Sequence, residues 1–145
     1  MKDPNLRIAV VVPCYRVRDR VLEVIAGIGS DVRAIYVVDD GCPDGTGAHV
    51  ERACTDARVV VLRNARNQGV GGAVMRGYEA ALAAGMDVIV KVDGDGQMDP
   101  RLIPAFVAPI AAGEADYVKG NRFFSLENLH GMPATRLLGN SALSF

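Results

Sequence analysis

The chain has 145 residues, with 16 Lys and Arg against 17 Asp and Glu, and a formal net charge of −1. Nucleic-acid-binding modules carry a basic excess, and disordered tails lack the 50% hydrophobic content found here, so the composition excludes both. The length predicts one domain with its own core. No apolar run approaches the roughly 18 residues of a membrane span, and the three cysteines lack CxxC spacing. We therefore expect a cytoplasmic protein with reduced thiols.

Continuous apolar runs predict four β-strands, at residues 8–12, 34–38, 59–62 and 88–92. Runs without alternation are typical of strands that are covered on both faces. A weaker run predicts a fifth strand at 117–119.

Helical patterns lie between these runs. We predict a first helix that is capped by Asp19 and ends at Gly29, and further helices at 46–53, 70–84 and 101–112. Pro104 and Pro109 should bend or shorten the last of them. The third helix has an apolar face formed by Val74, Tyr78, Ala81 and Leu82.

This alternation of strands and helices predicts an α/β fold with a mostly parallel, doubly wound sheet flanked by helices. The periodic pattern ends at about residue 122. We expect residues 123–145 to be the truncated start of another region.

Ligands of open parallel sheets bind at the carboxyl ends of the strands. Three predicted strands have chemically useful groups there: Pro13 and Tyr15 after the first, Asp39 and Asp40 after the second, and Asp93 and Asp95 after the fourth.

The segment 91–100, Lys-Val-Asp-Gly-Asp-Gly-Gln-Met-Asp-Pro, is the most specific feature. Asp93 and Asp95 can approach one Mg²⁺ or Mn²⁺ because the intervening glycines let the backbone turn, and Gln97 offers a third oxygen. The alternative is a glycine-rich turn whose aspartates cap the next helix. Two carboxylates at a buried strand end would repel each other without a cation, which favours the metal site.

A nucleotide site is predicted beside it. Asp40 can accept hydrogen bonds from a base or ribose, or serve the turn alone, and Tyr15 can stack on a base or be a loop aromatic. Asp39, Asp44 and Asp99 are interpreted as turn and cap residues.

Other features are weaker. The glycines of Asn-Gln-Gly-Val-Gly-Gly-Ala, 67–73, open the third helix but do not follow the first strand, which disfavours a dinucleotide fold. Lys119 and Arg122 can meet phosphate or form surface ion pairs.

Five motifs in order resemble the nucleotide-sugar-binding half of family 2 glycosyltransferases of the Rossmann-like GT-A fold, within them the polyprenyl-phosphate type that includes dolichyl-phosphate mannose synthases. They are Val-Pro-Cys-Tyr, Val-Val-Asp-Asp-Gly-Cys-Pro-Asp-Gly-Thr, Asn-Gln-Gly-Val-Gly-Gly-Ala, Asp-Gly-Asp-Gly-Gln-Met-Asp-Pro and Gly-Asn-Arg. The resemblance implies that residues 1–122 form the nucleotide-sugar-binding core and that 123–145 begin the acceptor side.

The resemblance also implies roles for particular residues. The nucleoside contacts are Pro13, Tyr15, Val38 and Asp40. The Asp-x-Asp motif is Asp93 to Asp95, with Asp93 and Gly94 beside the nucleotide, and with Asp93, Asp95 and Gln97 as the metal ligands. The catalytic residues are Asp95 and Arg122, the latter near the diphosphate or the acceptor phosphate. The family usually has Tyr-Asn-Glu where this chain has Tyr15-Arg16-Val17, so the Glu contact is missing.

The implied activity is inverting, metal-assisted transfer of a sugar from a nucleoside diphosphate to a polyprenyl phosphate, at the cytoplasmic face of a membrane. Two alternatives stay open, which are a non-catalytic nucleotide-binding module and a haloacid-dehalogenase-like phosphatase. The phosphatase is less similar, because its nucleophilic aspartate lies on the first strand.

Overall fold

The computed structural model describes residues 5–120. The elements are, in chain order, β1 (Ile8–Cys14), α1 (Arg18–Ala26), β2 (Val32–Asp39), α2 (Thr46–Ala53), β3 (Val59–Arg63), α3 (Gly69–Ala83), β4 (Val88–Lys91), a 3₁₀ turn (Pro100–Leu102) and α4 (Ile103–Ala111). This alternation confirms the predicted α/β class. None of the described helices combines the length and hydropathy needed to cross a bilayer.

The four strands form one parallel sheet in the order β3-β2-β1-β4. All seven residues of β1 are buried, because β2 and β4 pair with its two edges and helices cover its two faces. The continuous apolar run that predicted this strand therefore reflects burial on both faces.

The two faces of the sheet are packed differently. Helices α1, α2 and α4 cover the face that includes Val10 and Val12. Helix α3 covers the other face, which includes Val11, and it buries Ala73, Gly77 and Ala81 at helical spacing. Small residues let α3 approach β1 closely.

Three predicted details are wrong. Leu82 does not share the buried face of α3, since it is 64% exposed and the small residues make the contact instead. Residues 117–119 form no strand, because none of residues 5–120 pairs with their backbone, and Tyr117 is 78% exposed. The first helix begins before Asp19 and ends at Ala26, short of Gly29.

A carboxylate from another loop explains the start of α1. The Oδ2 atom of Asp44 accepts a hydrogen bond from the Arg18 backbone N–H at 3.2 Å, so the helix begins one residue before the predicted cap. At the other end, the backbone of Gly27 packs against Pro100, where an added Cβ would lie 2.8 Å from Cγ. Contacts between distant segments therefore set both ends of this helix. The predicted boundary after residue 122 lies outside the described residues.

Candidate nucleotide and metal site

The carboxyl ends of β1, β2 and β4 meet at one edge of the sheet. Cys14 is in register with Asp39, and the Asp40 backbone N–H donates to the Cys14 carbonyl at 3.0 Å. On the other side of β1, the Val92 N–H donates to the Val11 carbonyl at 3.0 Å. The loops after β2 and β4 therefore flank the end of β1.

A cavity of about 250 Å³, which we call the Asp40 cavity, opens at this edge. Its lining residues are Pro13, Cys14, Tyr15, Asp40, Asn67, Gly69, Val70 and Ala73. Ligand pockets usually measure about 300–1,000 Å³, so this cavity suits one part of a nucleotide, such as its base and ribose. Tyr15 is 44% exposed at the rim.

Asp40 places one carboxylate oxygen at this cavity. The residue is 2% exposed, and its Oδ1 accepts hydrogen bonds from Asn64 Nδ2 at 2.8 Å and from the Gln68 N–H at 2.9 Å. Oδ2 has no hydrogen-bond partner among the described residues. No fully buried side-chain oxygen in that part of the chain lacks a partner, so Oδ2 reaches the cavity that Asp40 lines. It is an acceptor available to a ligand.

Asp39 has a structural role. Its Oδ1 accepts from the Cys42 N–H and its Oδ2 from the Gly47 N–H, each at 2.7 Å. One oxygen thus holds the loop after β2 and the other holds the first turn of α2, which matches the turn role predicted for Asp39. Asp44 lies one residue before Gly45, which is the N-cap of α2, so Asp44 is not the N-cap itself. Its Oδ1 still accepts from the Thr46 N–H at 3.1 Å and so serves the start of the helix.

The loop after β4 is pressed against the end of β1. Gly94 is buried, and a Cβ at this position would lie 3.0 Å from Val17 Cγ2 and 3.2 Å from Cys14 Sγ. The preceding Asp93 forms an ion pair with Lys91, with 2.7 Å between Oδ1 and Nζ. The lack of a side chain at Gly94 therefore brings the Asp93 backbone close to a wall of the Asp40 cavity.

Asp95 lies in an exposed turn beyond Gly94. Its Oδ1 accepts from the Gln97 N–H at 3.0 Å, and Gly96 has a φ of 80°. Asp99 has the predicted cap role, because its Oδ1 accepts from the Arg101 N–H at 3.0 Å.

The oxygen donors of the loop after β4 come from few side chains. No cluster of three or more His, Cys, Asp or Glu side chains forms within residues 5–120. Asp93 and Asp95 supply carboxylate oxygens, which suit Mg²⁺ and Mn²⁺, and such ions commonly take their other ligands from water and substrate phosphate. The residues therefore fit a cation that is held jointly with a diphosphate.

A larger cleft of about 490 Å³ lies between α1 and the turn 96–101. Gln97 borders this cleft together with Arg20, Glu23 and Arg101, and is absent from the lining of the Asp40 cavity. The side chains that line the larger cleft include both positively and negatively charged groups.

Cys14 contributes a wall to the Asp40 cavity without being a nucleophile. Burial raises the pKa of its thiol far above the ordinary range, and the nearby Cys42 and Asp39 act in the same direction. Cys14 thus stays protonated at neutral pH, and its sulfur donates to the Val12 carbonyl at 3.4 Å.

Residues 9–141 match the family described as glycosyl transferase family 2, which covers most of the chain. The chain belongs to glycosyl transferase family 2.

Curated relatives of this family 2 chain include two whose names combine a polyprenol or its phosphate with mannose. The undecaprenyl-phosphate mannosyltransferase of Micrococcus luteus is 36% identical over 129 residues, which cover 81% of this chain and 49% of the relative. The polyprenol monophosphomannose synthase of Mycolicibacterium smegmatis is 32% identical over 139 residues, covering 93% and 52%. The chain thus spans about half the length of these relatives.

A solved glycosyltransferase structure is also similar. Glucosyl-3-phosphoglycerate synthase from Mycobacterium tuberculosis, in complex with Mn²⁺, UDP-glucose and phosphoglyceric acid, has a TM-score of 0.58 and 27% identity, covering 76% of this chain and 41% of that one. The predicted GT-A fold is confirmed, and membership of this family decides against the haloacid-dehalogenase alternative.

The family 2 chain brings several predicted site residues together and separates others. Pro13, Tyr15 and Asp40 line one cavity, and Gly94 adjoins it through Cys14. Val38 is fully buried and is absent from that lining. Asp95 and Gln97 lie in the turn beyond, and Arg122 lies outside the described residues.

Sequence reasoning missed Asn64, the side chain that holds Asp40. Asn64 follows β3 directly, so its position at a strand end was the available signal. The apolar run of β3 ends among arginines and asparagines, which look like ordinary surface residues in the sequence.

Proposed function

We propose that this chain is the nucleotide-sugar-binding part of an inverting glycosyltransferase that transfers a sugar to a polyprenyl phosphate. One observation carries the proposal. The Asp40 cavity and the Asp93–Asp95 loop lie on either side of the end of β1. The proposed nucleoside site and the proposed site for the metal and the diphosphate are therefore neighbours at one edge of the sheet.

The names of the relatives support the reaction class. Two relatives that match most of this chain are named for transfer of mannose to polyprenyl phosphates. The similar solved structure was determined with Mn²⁺ and UDP-glucose. A nucleoside-diphosphate sugar is therefore the proposed donor and a lipid phosphate the proposed acceptor. Such an acceptor lies in a membrane, and the proposed place of reaction is its cytoplasmic face.

At the nucleoside end, Asp40 Oδ2 accepts a hydrogen bond from the base or ribose while Tyr15 stacks on the base. Pro13 forms part of the wall, and buried Val38 contributes through its main chain. These contacts fix the donor so that its diphosphate extends toward the Asp93–Asp95 loop, which Gly94 lets pack closely against the end of β1.

At the diphosphate end, Asp93 and Asp95 would hold Mg²⁺ or Mn²⁺, with Gln97 as a further oxygen donor. When bound, that cation stabilises the negative charge that develops on the departing nucleoside diphosphate. Lys91 beside Asp93 balances one of the two carboxylate charges. Arg122 is proposed to contact the diphosphate or the acceptor phosphate. A phosphate acceptor is already ionised at neutral pH, so its attack needs no general base.

The test is isothermal titration calorimetry of the chain with uridine, guanosine, adenosine and cytidine diphosphates, with and without Mn²⁺. We expect one of them to bind in a Mn²⁺-dependent manner and Asp95→Ala to weaken that binding at least tenfold. Asp31→Ala is the matched control, because Asp31 is an exposed aspartate before β2, at the opposite edge of the sheet. Absence of binding by all four, or binding that Asp95→Ala leaves unchanged, would contradict the proposal.

A further inference from the structure

Asn64 links the end of β3 to the candidate nucleoside site. It is 5% exposed, and its backbone N–H donates to the Asp39 carbonyl at 2.8 Å, which continues the strand pairing one residue past β3. We propose that Asn64 is a positioning residue, which holds Asp40 so that one carboxylate oxygen faces the nucleoside, and that Arg76 keeps the Asn64 amide in the required orientation. This rests on the proposed function, since it takes Asp40 as the nucleoside contact.

Arg76 determines which end of the amide meets Asp40. A guanidinium group has donors only, so its Nη1, which lies 2.8 Å from Asn64 Oδ1, requires that atom to be the amide oxygen. The opposite end, Nδ2, then donates to Asp40 Oδ1 at 2.8 Å. Arg76 also donates to the carbonyl of Arg63, which anchors the guanidinium at the end of β3. Rotating the amide by half a turn would set donor against donor and acceptor against acceptor.

These hydrogen bonds fix the Asp40 carboxylate through Oδ1 and leave Oδ2 without a donor among the described residues. Asn64 and the Gln68 N–H both donate to Oδ1, so neither competes for Oδ2. No Lys or Arg of residues 5–120 pairs directly with Asp40. The charge of Arg76 therefore acts through the amide, and Oδ2 stays available without reorganisation when a ligand arrives.

The chemistry of Oδ2 limits what it can recognise. A carboxylate oxygen accepts, so its partner must be a donor, either a ribose hydroxyl or a base N–H. Ionised phosphates offer oxygen acceptors and would be repelled. The contribution of Asn64 should thus be confined to the nucleoside, and inorganic pyrophosphate should bind independently of it.

A double-mutant cycle on the full chain tests this inference. Calorimetry in Mn²⁺ would compare wild type, Asn64→Ala, Asp40→Ala and the double variant, first with the best-bound nucleoside diphosphate and then with inorganic pyrophosphate. We expect Asn64→Ala to weaken nucleotide binding about tenfold, Asp40→Ala to weaken it at least as much, and the double variant to bind like Asp40→Ala. Pyrophosphate binding should stay unchanged throughout.

Two outcomes overturn the positioning role. In the first, Asn64→Ala weakens nucleotide binding as much in the Asp40→Ala background as in the wild type. In the second, Asn64→Ala weakens pyrophosphate binding as much as nucleotide binding. Either result would indicate a general structural effect. Equal nucleotide affinities of the wild type and Asp40→Ala would overturn the positioning role as well, but would not contradict the proposed metal and diphosphate site. Failure of the wild type to bind any nucleoside diphosphate instead overturns the proposed function and this inference with it.

Arg76 provides a second route, should Asn64→Ala fail to fold. Arg76 is exposed on α3, so Arg76→Met should leave the core intact while freeing the amide to rotate. We expect a few-fold loss of nucleotide binding that disappears in the Asp40→Ala background. Arg52→Met, at an exposed arginine in the last turn of α2, is the matched control and should bind like wild type. Unchanged binding by Arg76→Met would overturn the orienting role of the guanidinium.

Discussion

Gly77 on α3 faces β1 at a point where no Cβ fits. A Cβ built there would lie 2.3 Å from Val11 Cγ1 and 2.9 Å from Cγ2. Val11 is fully buried in the central strand, and its β-branched side chain has little freedom to turn away. Overpacking of this kind costs about 1–3 kcal/mol, which exceeds the gain of up to about 1 kcal/mol from replacing a helical glycine with alanine. We expect Gly77→Ala to lower the free energy of unfolding.

Gly71, in the first turn of the same helix, is the matched control. A Cβ there would meet nothing within 4 Å, so Gly71→Ala should raise the free energy of unfolding by up to about 1 kcal/mol. Urea unfolding followed by circular dichroism measures the free energy of unfolding of both variants, and the dependence of that free energy on urea concentration should be the same for the two. The double variant Val11→Ala, Gly77→Ala should lose less free energy than the sum of the two single variants, because Val11→Ala removes the clashing methyl groups. If Gly77→Ala stabilises the protein as Gly71→Ala does, the close packing of α3 on β1 is refuted.

Two further predictions use shifted pKa values. Hydrogen bonds from the Arg7 side chain and backbone lower the pKa of Asp87 to about 2, so this pair stabilises the folded state above about pH 4 and loses its effect as the pH falls toward 2. In urea titrations, the destabilisation caused by Asp87→Asn should shrink over that interval, and a constant difference would contradict the assignment. Burial raises the pKa of the Cys14 thiol, so iodoacetamide at pH 8 should label Cys14 after unfolding only, while the partly exposed Cys54 reacts in the native protein. Mass spectrometry measures both, and native labelling of Cys14 would show that it is accessible.

The elements that depend on local pattern were predictable from the sequence. Helix α2 has its predicted bounds of Thr46 and Ala53, and the four strands lie where the apolar runs indicated. Burial on both faces holds for β1 but not for the edge strand β3, in which no residue is fully buried. Strands β1, β2 and β3 are longer than predicted, because pairing with a neighbour extends the ladder into polar residues such as Asp39, whereas β4 ends one residue earlier than predicted, at Lys91. An apolar run in the sequence indicates which strand residues are buried, whereas the ends of a strand also depend on backbone pairing with its neighbours.

Elements that depend on distant contacts were not predictable. The cap of α1 comes from Asp44, 26 positions away, and no local pattern reports it. Tyr117 and Val118 are strand-forming residues, yet a strand needs a partner, and none pairs with them in the described part of the chain. Propensity cannot supply a missing neighbour.

The candidate site shows the same division. Position after a strand was enough to select Asp40 and Asp93, because parallel strands bring their carboxyl ends to one edge. The turn role of Asp39 was also predicted, but its partners were not, because they are the backbone N–H groups of Cys42 and Gly47. Asn64 was missed because its role depends on a contact with a residue 24 positions earlier.

Sugar transfer by the natural full-length protein tests the central claim most directly. The protein would be incubated with Mn²⁺, a radiolabelled nucleoside-diphosphate sugar of the base selected by calorimetry, and a polyprenyl phosphate. Labelled lipid would be extracted, and the anomeric configuration of its sugar determined. The account predicts a labelled lipid-linked sugar of inverted configuration, formed by wild type and by Asp31→Ala and lost in Asp95→Ala. Tight nucleotide binding with neither transfer nor donor hydrolysis would contradict it and establish a binding module.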